Sequence, residues 1–474
     1  MGAGLAVVVI VAAVTVAVPL VSGVESDDES ADPVALEQTA STRAADPQIG
    51  LNFIRVNTAD PAPGRRPRNA PVTSDPSSLT EPPWVFDDFV QLGVQAYRQV
   101  TGADLLWRNI EAHDDAWEFE TPDSVLPNGE FEPIVSLFAM QYASGTPPWA
   151  RSPDEFEPTL GSEAQEYLDA VIERYGPVVK YWELGNEMDH WRAADPQQST
   201  DKLAPGAGSL PAYAPADGYS PQEQGAFLAR AADYIRARDP DAVIVLPGMG
   251  GLDAYVTDTW LAGVVEGGGT GFFDIVNYHY YGPWDRYIAG RTRLSQALER
   301  LGIDDKPVWL TETGSSSDAS NTRRTNYPNS EDTQAADVVR RLVLAYAHGD
   351  SLAIWHTQIS SSDAGSGGDW SAYGLHTSTG ERKPSWFTYQ LLAKELIPFS
   401  GVSIVSDGDG GAYVYEFTKE DGSRAVVAWG RGSYSPTGGS AQMTSMVAAD
   451  GEFAFAPAPA TISLSEVPTL IVFS

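Results

Sequence analysis

The 474-residue sequence lacks cysteine altogether, and it has few basic residues beside its acidic ones. Without cysteine, a disulfide framework, a thiolate metal site and a cysteine nucleophile are excluded. Lysine and arginine number 30 against 64 aspartates and glutamates, for a formal net charge of -34. Because a nucleic acid backbone requires a basic surface, this balance argues against nucleic acid as a partner. The histidines show no metal-ligand spacing, so we expect no catalytic metal and no other cofactor.

The first 23 residues contain an apolar run, GLAVVVIVAAVTVAVPLVSG, and an acidic linker follows over residues 24–47. Val21 and Gly23 stand as the small residues before the cleavage point of an export signal. However, no lysine or arginine precedes the run, and the run is long enough to span a bilayer as an uncleaved anchor. We therefore expect a secreted, extracellular protein, or one that is anchored to a membrane and faces outside.

Short β-branched or apolar runs alternate with amphipathic helical stretches over residues 48–397. This alternation predicts parallel strands joined by crossover helices, and eight such units predict an α/β fold, the (β/α)8 TIM barrel. The predicted strands begin at Ile49, Gly93, Phe131, Val178, Ala242, Phe273, Lys306 and Ser351. The longest connections follow strands and precede helices, so we expect them at the C-terminal face, where barrel active sites are built.

The sequence pattern changes after residue 397, where glycines separate short runs of alternating apolar and polar residues. The runs GAYVYEF, RAVVAWG, ATISLS and PTLIVFS predict antiparallel strands. We therefore expect a small C-terminal antiparallel β-domain, β-sandwich-like, over residues 398–474.

Two glutamates stand at the ends of predicted strands four and seven, within VKYWELGNEMD and PVWLTETG. Side chains alternate across a strand, so Glu187 shares a face with Glu183, and Glu312 comes last on its face. Three βα units separate Glu187 from Glu312, which places both carboxyl groups at one mouth of a closed barrel. Glycoside hydrolysis through a covalent intermediate needs two carboxyl groups about 5 to 5.5 Å apart. We predict carboxyl oxygens about 5 to 6 Å apart across the mouth.

In these two motifs the barrel resembles clan A of the glycoside hydrolases. That clan carries Asn-Glu at the end of strand four and Glu at the end of strand seven, matched here by Asn186, Glu187 and Glu312. The resemblance implies that Glu187 is the catalytic acid/base and Glu312 the nucleophile. Asn186 can then donate a hydrogen bond to the 2-hydroxyl of the sugar.

Three further strand ends carry residues that fit the same resemblance. The NYHYY run is similar to the clan's His-x-Tyr pattern, with His279 and Tyr281 in place and the tyrosine hydroxyl expected to bond the nucleophile. Arg98, in YRQ, looks like the clan arginine that supports the charge of the nucleophile. Trp355, in LAIWHT, resembles the aromatic platform under the glycone sugar. From the residues alone, His279 either orients a substrate hydroxyl or is a core histidine.

The connection after predicted strand two, LLWRNIEAHDDAWEFETPD, is similar to the Trp-x-x-Ile-Glu and Trp-x-Phe segment of families 39 and 42. A barrel followed by a β-domain is most similar to family 39. The ELGNE motif followed by Met188 also resembles family 79, and a family 5-like enzyme is a further alternative.

Together these residues predict a secreted retaining glycoside hydrolase that cleaves O-glycosidic bonds of β-linked poly- or oligosaccharides. A glycan is the expected partner, and a membrane is one only if the N-terminal apolar segment is uncleaved. The alternative is a non-catalytic carbohydrate-binding barrel, which the loss of either catalytic glutamate would indicate. The sequence leaves the sugar, exo or endo cleavage and the oligomeric state open.

Two other sets of charged residues bear on the site. Glu183 is expected to pair with Arg55 or Arg98, because an unpaired buried carboxylate is costly. The Arg323-Arg324 pair in the loop after the nucleophile is either a clamp for a uronate or sulfate group or an ordinary solvated pair.

Overall fold

The computed structural model describes residues 48–53, 84–99, 105, 107–123, 126, 131–137, 147–150, 160–191, 220–321, 329–365 and 371–473. The predicted export signal over residues 1–23 and the acidic linker over 24–47 lie outside these ranges, as do Arg55, Arg323 and Arg324. Within these ranges, no helix is long and apolar enough to cross a membrane.

Eight parallel strands form the barrel, and each coincides with one of the predicted runs. They are β1 (Gln48–Phe53), β2 (Ala96–Gln99), β3 (Glu132–Ser136), β4 (Tyr181–Glu183), β5 (Val243–Val245), β6 (Val276–Tyr280), β7 (Val308–Thr313) and β8 (Leu352–Trp355). Neighbours in the chain pair in parallel, and β1 pairs with β8. Isolated bridges join β5 to β6, where Leu246 N donates to Ile275 O (3.0 Å) and His279 N to Met249 O (2.7 Å). The predicted (β/α)8 fold is confirmed.

The helices cover the outside of the strands, as the three- and four-residue apolar spacing predicts. They are α1 (Trp84–Leu92), α2 (Trp107–Ile110), α3 (Glu120–Asp123), α4 (Ser162–Tyr175), α5 (Pro221–Arg236), α6 (Leu261–Gly268), α7 (Tyr287–Leu301), α8 (Glu331–Ala347) and α9 (Pro384–Leu396). A capping box begins α5: Ser220 Oγ accepts from Glu223 N (3.2 Å), and the Glu223 carboxylate accepts from Ser220 N (2.8 Å). Among the described residues between β2 and β3, α2 and α3 are short helices of four residues each.

The strands are buried on both faces, which is typical of a parallel sheet covered by helices. Every residue of β6 and β7 is buried, so a charged or polar side chain on these strands must find a partner inside the protein. The polar members of these two strands include His279 and Glu312. A cluster of buried polar side chains that includes His279 and Glu312 therefore lies at the ends of the strands, next to the apolar core of the barrel.

The C-terminal part forms a six-stranded antiparallel sheet and a two-stranded one, which confirms the predicted β-domain. The strands are β9 (Gly401–Asp407), β10 (Ala412–Thr418), β11 (Arg424–Gly430), β12 (Ser433–Tyr434), β13 (Ala441–Ser445), β14 (Ala456–Pro457), β15 (Ile462–Ser463) and β16 (Thr469–Phe473). One face of the large sheet joins the barrel core through Tyr415, Val427 and Trp429. Its other face packs Val426 against Ile462 of the small sheet.

Candidate active site

Glu312 lies near the C-terminal end of β7 and is buried. Arg98 Nη1 donates to its Oε1 over 2.7 Å, and the Tyr281 hydroxyl donates to its Oε2 over 2.6 Å. Burial alone would raise the pKa of the Glu312 carboxyl, but the electrostatic interactions with neighbouring His279 and with the Arg98 guanidinium hold that pKa below its ordinary value. The site therefore keeps Glu312 ionised.

Glu187 follows β4 in a segment with an unusual backbone. Its φ is +49°, in the left-handed region that residues other than glycine rarely adopt. Its N–H donates to the carbonyl of Gly248, beyond the end of β5, over 2.7 Å. The Glu187 side chain is 20% exposed, against 5% for Glu312. The two carboxyl groups thus have different surroundings, as an acid and a nucleophile at one site require.

His279, in β6, lies between the two carboxylates and is fully buried. Its Nδ1 is 3.0 Å from Glu187 Oε1 and 3.7 Å from Glu312 Oε2. This nitrogen and one carboxylate oxygen of each glutamate all lie within 4.8 Å of one another. The nearest oxygens of the two glutamates are therefore no more than 4.8 Å apart. That separation is near the value of about 5 to 5.5 Å for retaining glycosidases and below the range of about 6.5 to 9.5 Å for inverting ones.

Arg98 connects Glu312 to a second buried carboxylate, Glu183. Its Nε and Nη2 donate to Glu183 over 2.6 and 2.9 Å, and Nη2 also donates to Asn186 Oδ1 over 2.8 Å. Glu183 Oε1 further accepts from Gly248 N and from the Asn277 side chain. Of the two partners that the sequence leaves open for Glu183, the structure shows Arg98. Glu183 is the first residue of the ELGNE motif, whereas Asn277 belongs to no motif that the sequence analysis singles out.

Trp355 ends β8, and its ring is fully buried. The indole N–H donates to the carbonyl of Tyr373 over 3.2 Å, and the Tyr373 ring lies edge-on to Tyr281 with 6.0 Å between centroids. The loop around Tyr373 therefore covers Trp355 in this structure, and the stacking of a sugar on this ring stays a prediction. Tyr373 has no sequence signal beyond its place in a long loop after β8.

The Trp-x-x-Ile-Glu segment after β2 is held by hydrogen bonds within the segment and by one bond from Trp149. The Trp107 indole donates to Glu111 Oε2 over 2.6 Å, the Trp149 indole donates to the Glu111 carbonyl over 3.1 Å, and Asp115 N donates to Glu111 Oε1 over 3.1 Å. Burial raises the pKa of the Glu111 carboxyl, although the N–H groups of Trp107 and Asp115 act to lower it. Glu111 thus joins the loops that follow β2 and β3.

Two groups of described side chains have atoms close enough together to hold a metal ion. They are Glu187, His279 and Glu312, and Glu111, Asp114 and Asp115. In the first group the Arg98 guanidinium already contacts Glu312, so a further cation would be repelled. In the second group Glu111 accepts from Trp107 and from Asp115 N. The first group is better suited to proton transfer and nucleophilic attack.

The sequence matches no protein-family model and no curated protein. The structure is similar to a family 39 glycoside hydrolase from the gut symbiont Bacteroides cellulosilyticus WH2, with 17% identity, a TM-score of 0.60, and 90% of this chain and 81% of that chain covered. It is also similar to a family 39 β-xylosidase from Caulobacter crescentus, with 18% identity, a TM-score of 0.56, and 91% and 98% covered.

The catalytic domain of family 30 xylanase C from Talaromyces cellulolyticus matches with 14% identity and a TM-score of 0.54, covering 92% of this chain and 99% of that one. The chain thus has the fold of these glycoside hydrolase structures, and the expected resemblance to clan A, with family 39 among the similar structures, is confirmed for the fold.

Proposed function

We propose that this protein is a retaining glycoside hydrolase that cleaves O-glycosidic bonds of β-linked poly- or oligosaccharides. The observation that carries this proposal is the pair of carboxylates, Glu187 and Glu312, whose nearest oxygens lie within 4.8 Å at the strand ends of the barrel. The separation leaves too little room for a water molecule between the carboxylate and the anomeric carbon, which inversion would need. Glycoside hydrolases among the similar structures support the same class of reaction.

In the first step Glu312 attacks the anomeric carbon while Glu187 gives its proton to the leaving oxygen. The C–O bond to the leaving group breaks as the bond to Glu312 forms, which yields a glycosyl-enzyme and a free alcohol. In the second step Glu187, now a carboxylate, takes a proton from water, and the resulting hydroxide displaces Glu312. The sugar is released with its original anomeric configuration.

The surroundings of the two carboxyl groups match these roles. Glu312 accepts from Arg98 and Tyr281, both of which favour the ionised nucleophile. Glu187 contacts the His279 ring, whose Nδ1 lies 3.0 Å from Glu187 Oε1. Its side chain is the more exposed of the two, so a leaving oxygen and then a water molecule can approach it.

We further propose that the enzyme acts outside the cytoplasm. The apolar run and acidic linker over residues 1–47 support this placement. N-terminal sequencing of the protein from culture medium and from membranes would test it. A mature chain that begins near residue 24 indicates cleavage, and an intact N-terminus in the cytoplasm would contradict the proposal.

The catalytic proposal is tested with glycans and aryl glycosides of several sugars, followed by proton NMR of the first product formed. We expect hydrolysis with the anomer of the substrate retained. Glu187→Gln and Glu312→Gln should each lose most of the activity, whereas Glu299→Gln, an exposed glutamate on α7, should not. Azide should restore turnover of an aryl glycoside by Glu187→Gln and give a glycosyl azide with the retained configuration.

An inverted product would contradict the double displacement. Binding of glycans without hydrolysis of any would instead indicate the non-catalytic carbohydrate-binding barrel.

A further inference from the structure

Gly248, three residues after the end of β5, contacts three polar residues of the site although it has no side chain. Its N–H donates to Glu183 Oε1 over 3.1 Å, and its carbonyl accepts from Glu187 N over 2.7 Å. Its backbone thus bonds both the carboxylate that holds Arg98 and the residue that we assign as acid/base. The third contact is with the ring of His279.

The edge of the His279 ring that carries Nε2 packs against the Cα of Gly248. A Cβ added to Gly248 would stand 2.2 Å from Nε2 and 2.8 Å from both Cδ2 and Cε1, and these ring atoms are its three nearest neighbours. Real side chains do not approach so closely, so any other residue at this position would displace the ring. The ring therefore occupies the space that a side chain at position 248 would fill.

We propose that Gly248 is a positioning residue for the reaction, acting through His279. The proposal rests on the proposed glycosidase function. Because Gly248 has no side chain, the His279 ring can pack against its backbone. In this position Nδ1 lies 3.0 Å from Glu187 Oε1 and 3.7 Å from Glu312 Oε2. A displaced ring would move toward the carboxylates or turn Nδ1 away from them.

The same packing selects one tautomer of the neutral imidazole. Nε2 is buried and has no hydrogen-bond partner among the described residues, whereas Nδ1 faces a carboxylate. A buried N–H without an acceptor is costly, so the proton of the neutral ring lies on Nδ1. There it donates to Glu187, and this bond strengthens when Glu187 gives up its proton to the leaving group.

Gly248 also fixes the acid/base from the backbone side. Glu187 has a left-handed φ, so its direction depends on contacts that hold the chain in that conformation. The bond from Glu187 N to the Gly248 carbonyl and the bond from His279 to the Glu187 carboxylate act at opposite ends of this residue. Both depend on the place of Gly248 beyond β5.

The test is a double-mutant cycle on the full-length enzyme, with kcat/KM for an aryl glycoside as the readout. Gly248→Ala should lower kcat/KM by about a hundredfold, the scale of a misplaced catalytic group. In the His279→Ala background the ring is gone, so Gly248→Ala should have an effect of less than about threefold. Gly251→Ala is the matched control, because a Cβ there meets nothing within 4 Å.

Equal losses from Gly248→Ala in both backgrounds would overturn the proposal, since Gly248 would then act independently of His279. Nitrogen NMR of the wild-type enzyme, labelled at histidine, provides a second test that does not depend on whether Gly248→Ala folds. The neutral His279 resonances, assigned by their loss in His279→Ala, should show the proton on Nδ1. A proton on Nε2 would overturn the proposed packing. If the protein hydrolyses no glycan, the proposed function is refuted. The NMR measurement still tests the tautomer of His279 in that case.

Discussion

The hydroxyl of Tyr281 provides a direct test of how Glu312, the proposed nucleophile, is kept ionised. It donates to Glu312 Oε2 over 2.6 Å, and both residues are buried. Tyr281→Phe removes this one donor and leaves the Arg98 bond to Oε1 in place. Because the donor favours the ionised carboxyl, its loss raises the pKa of Glu312. The acidic limb of the pH profile for kcat/KM, which reports the ionisation of the nucleophile in the free enzyme, should therefore move to higher pH.

The size of the effect follows from the geometry. A hydrogen bond to a charged group contributes about 1.5 to 3 kcal/mol, and water cannot easily replace the donor at a buried site. Since about 1.4 kcal/mol corresponds to a tenfold change in rate, glycosyl-enzyme formation well below the acidic limb should slow about ten- to hundredfold. The loss should shrink toward the plateau, where Glu312 is ionised in both enzymes.

Pre-steady-state release of an aryl leaving group across the pH range measures this step. Tyr280→Phe is the matched control, because the neighbouring hydroxyl donates to the carbonyl of Pro283 over 2.8 Å and does not contact the site. We expect Tyr280→Phe to keep the wild-type limb. An unmoved limb in Tyr281→Phe, or an equal movement in both variants, would refute the assignment of Tyr281.

Two further changes test the stability of the protein. Glu183→Gln leaves the buried Arg98 guanidinium with one carboxylate instead of two, so the free energy of unfolding should fall by about 3 kcal/mol in urea titrations; an unchanged value would contradict the pairing. Burial lowers the pKa of Lys383 to about 7, so the folded state releases a proton that the unfolded chain keeps up to its ordinary pKa of 10.5. Between about pH 7 and pH 10.5 the wild-type free energy of unfolding should therefore rise by about 1.4 kcal/mol per pH unit more than that of Lys383→Met, and equal slopes would contradict the lowered pKa of the buried amine.

The sequence predicts the barrel well because its strands and helices have strong local patterns. Periodic apolar spacing locates α4, α5, α8 and α9, and buried β-branched or apolar runs locate the eight strands. In the β-domain the alternating runs predict β10, β11, β15 and β16. The remaining strands are harder to recognise, since VSIVSD in β9 exposes apolar residues such as Val405, and β12 and β14 have two residues each.

At the site, the sequence predicts the functional side chains at the ends of strands. It does not predict the backbone groups and loops that pack against those side chains. Arg98 and Tyr281 contact Glu312 as expected from their places at the ends of strands two and six. Gly248 is missed because it contributes backbone groups and lacks a side chain where the His279 ring packs. Neither contribution can be recognised from the residue type alone. The burial of Trp355 is missed because it depends on the long loop that contains Tyr373, whose path the sequence pattern does not specify.

The left-handed backbone at Glu187, the proposed acid/base, has a consequence for the evolution and engineering of the proposed glycosidase. A left-handed conformation costs a residue with a Cβ about 1 to 2 kcal/mol, and glycine adopts it freely. A library selected only for heat resistance will therefore enrich glycine at position 187 and so accumulate inactive proteins. When selection for activity is relaxed, Glu187→Gly would likewise be favoured by stability, and the resulting proteins would be more stable but inactive. Thermostabilisation of this scaffold should keep codon 187 fixed and screen for turnover at every round.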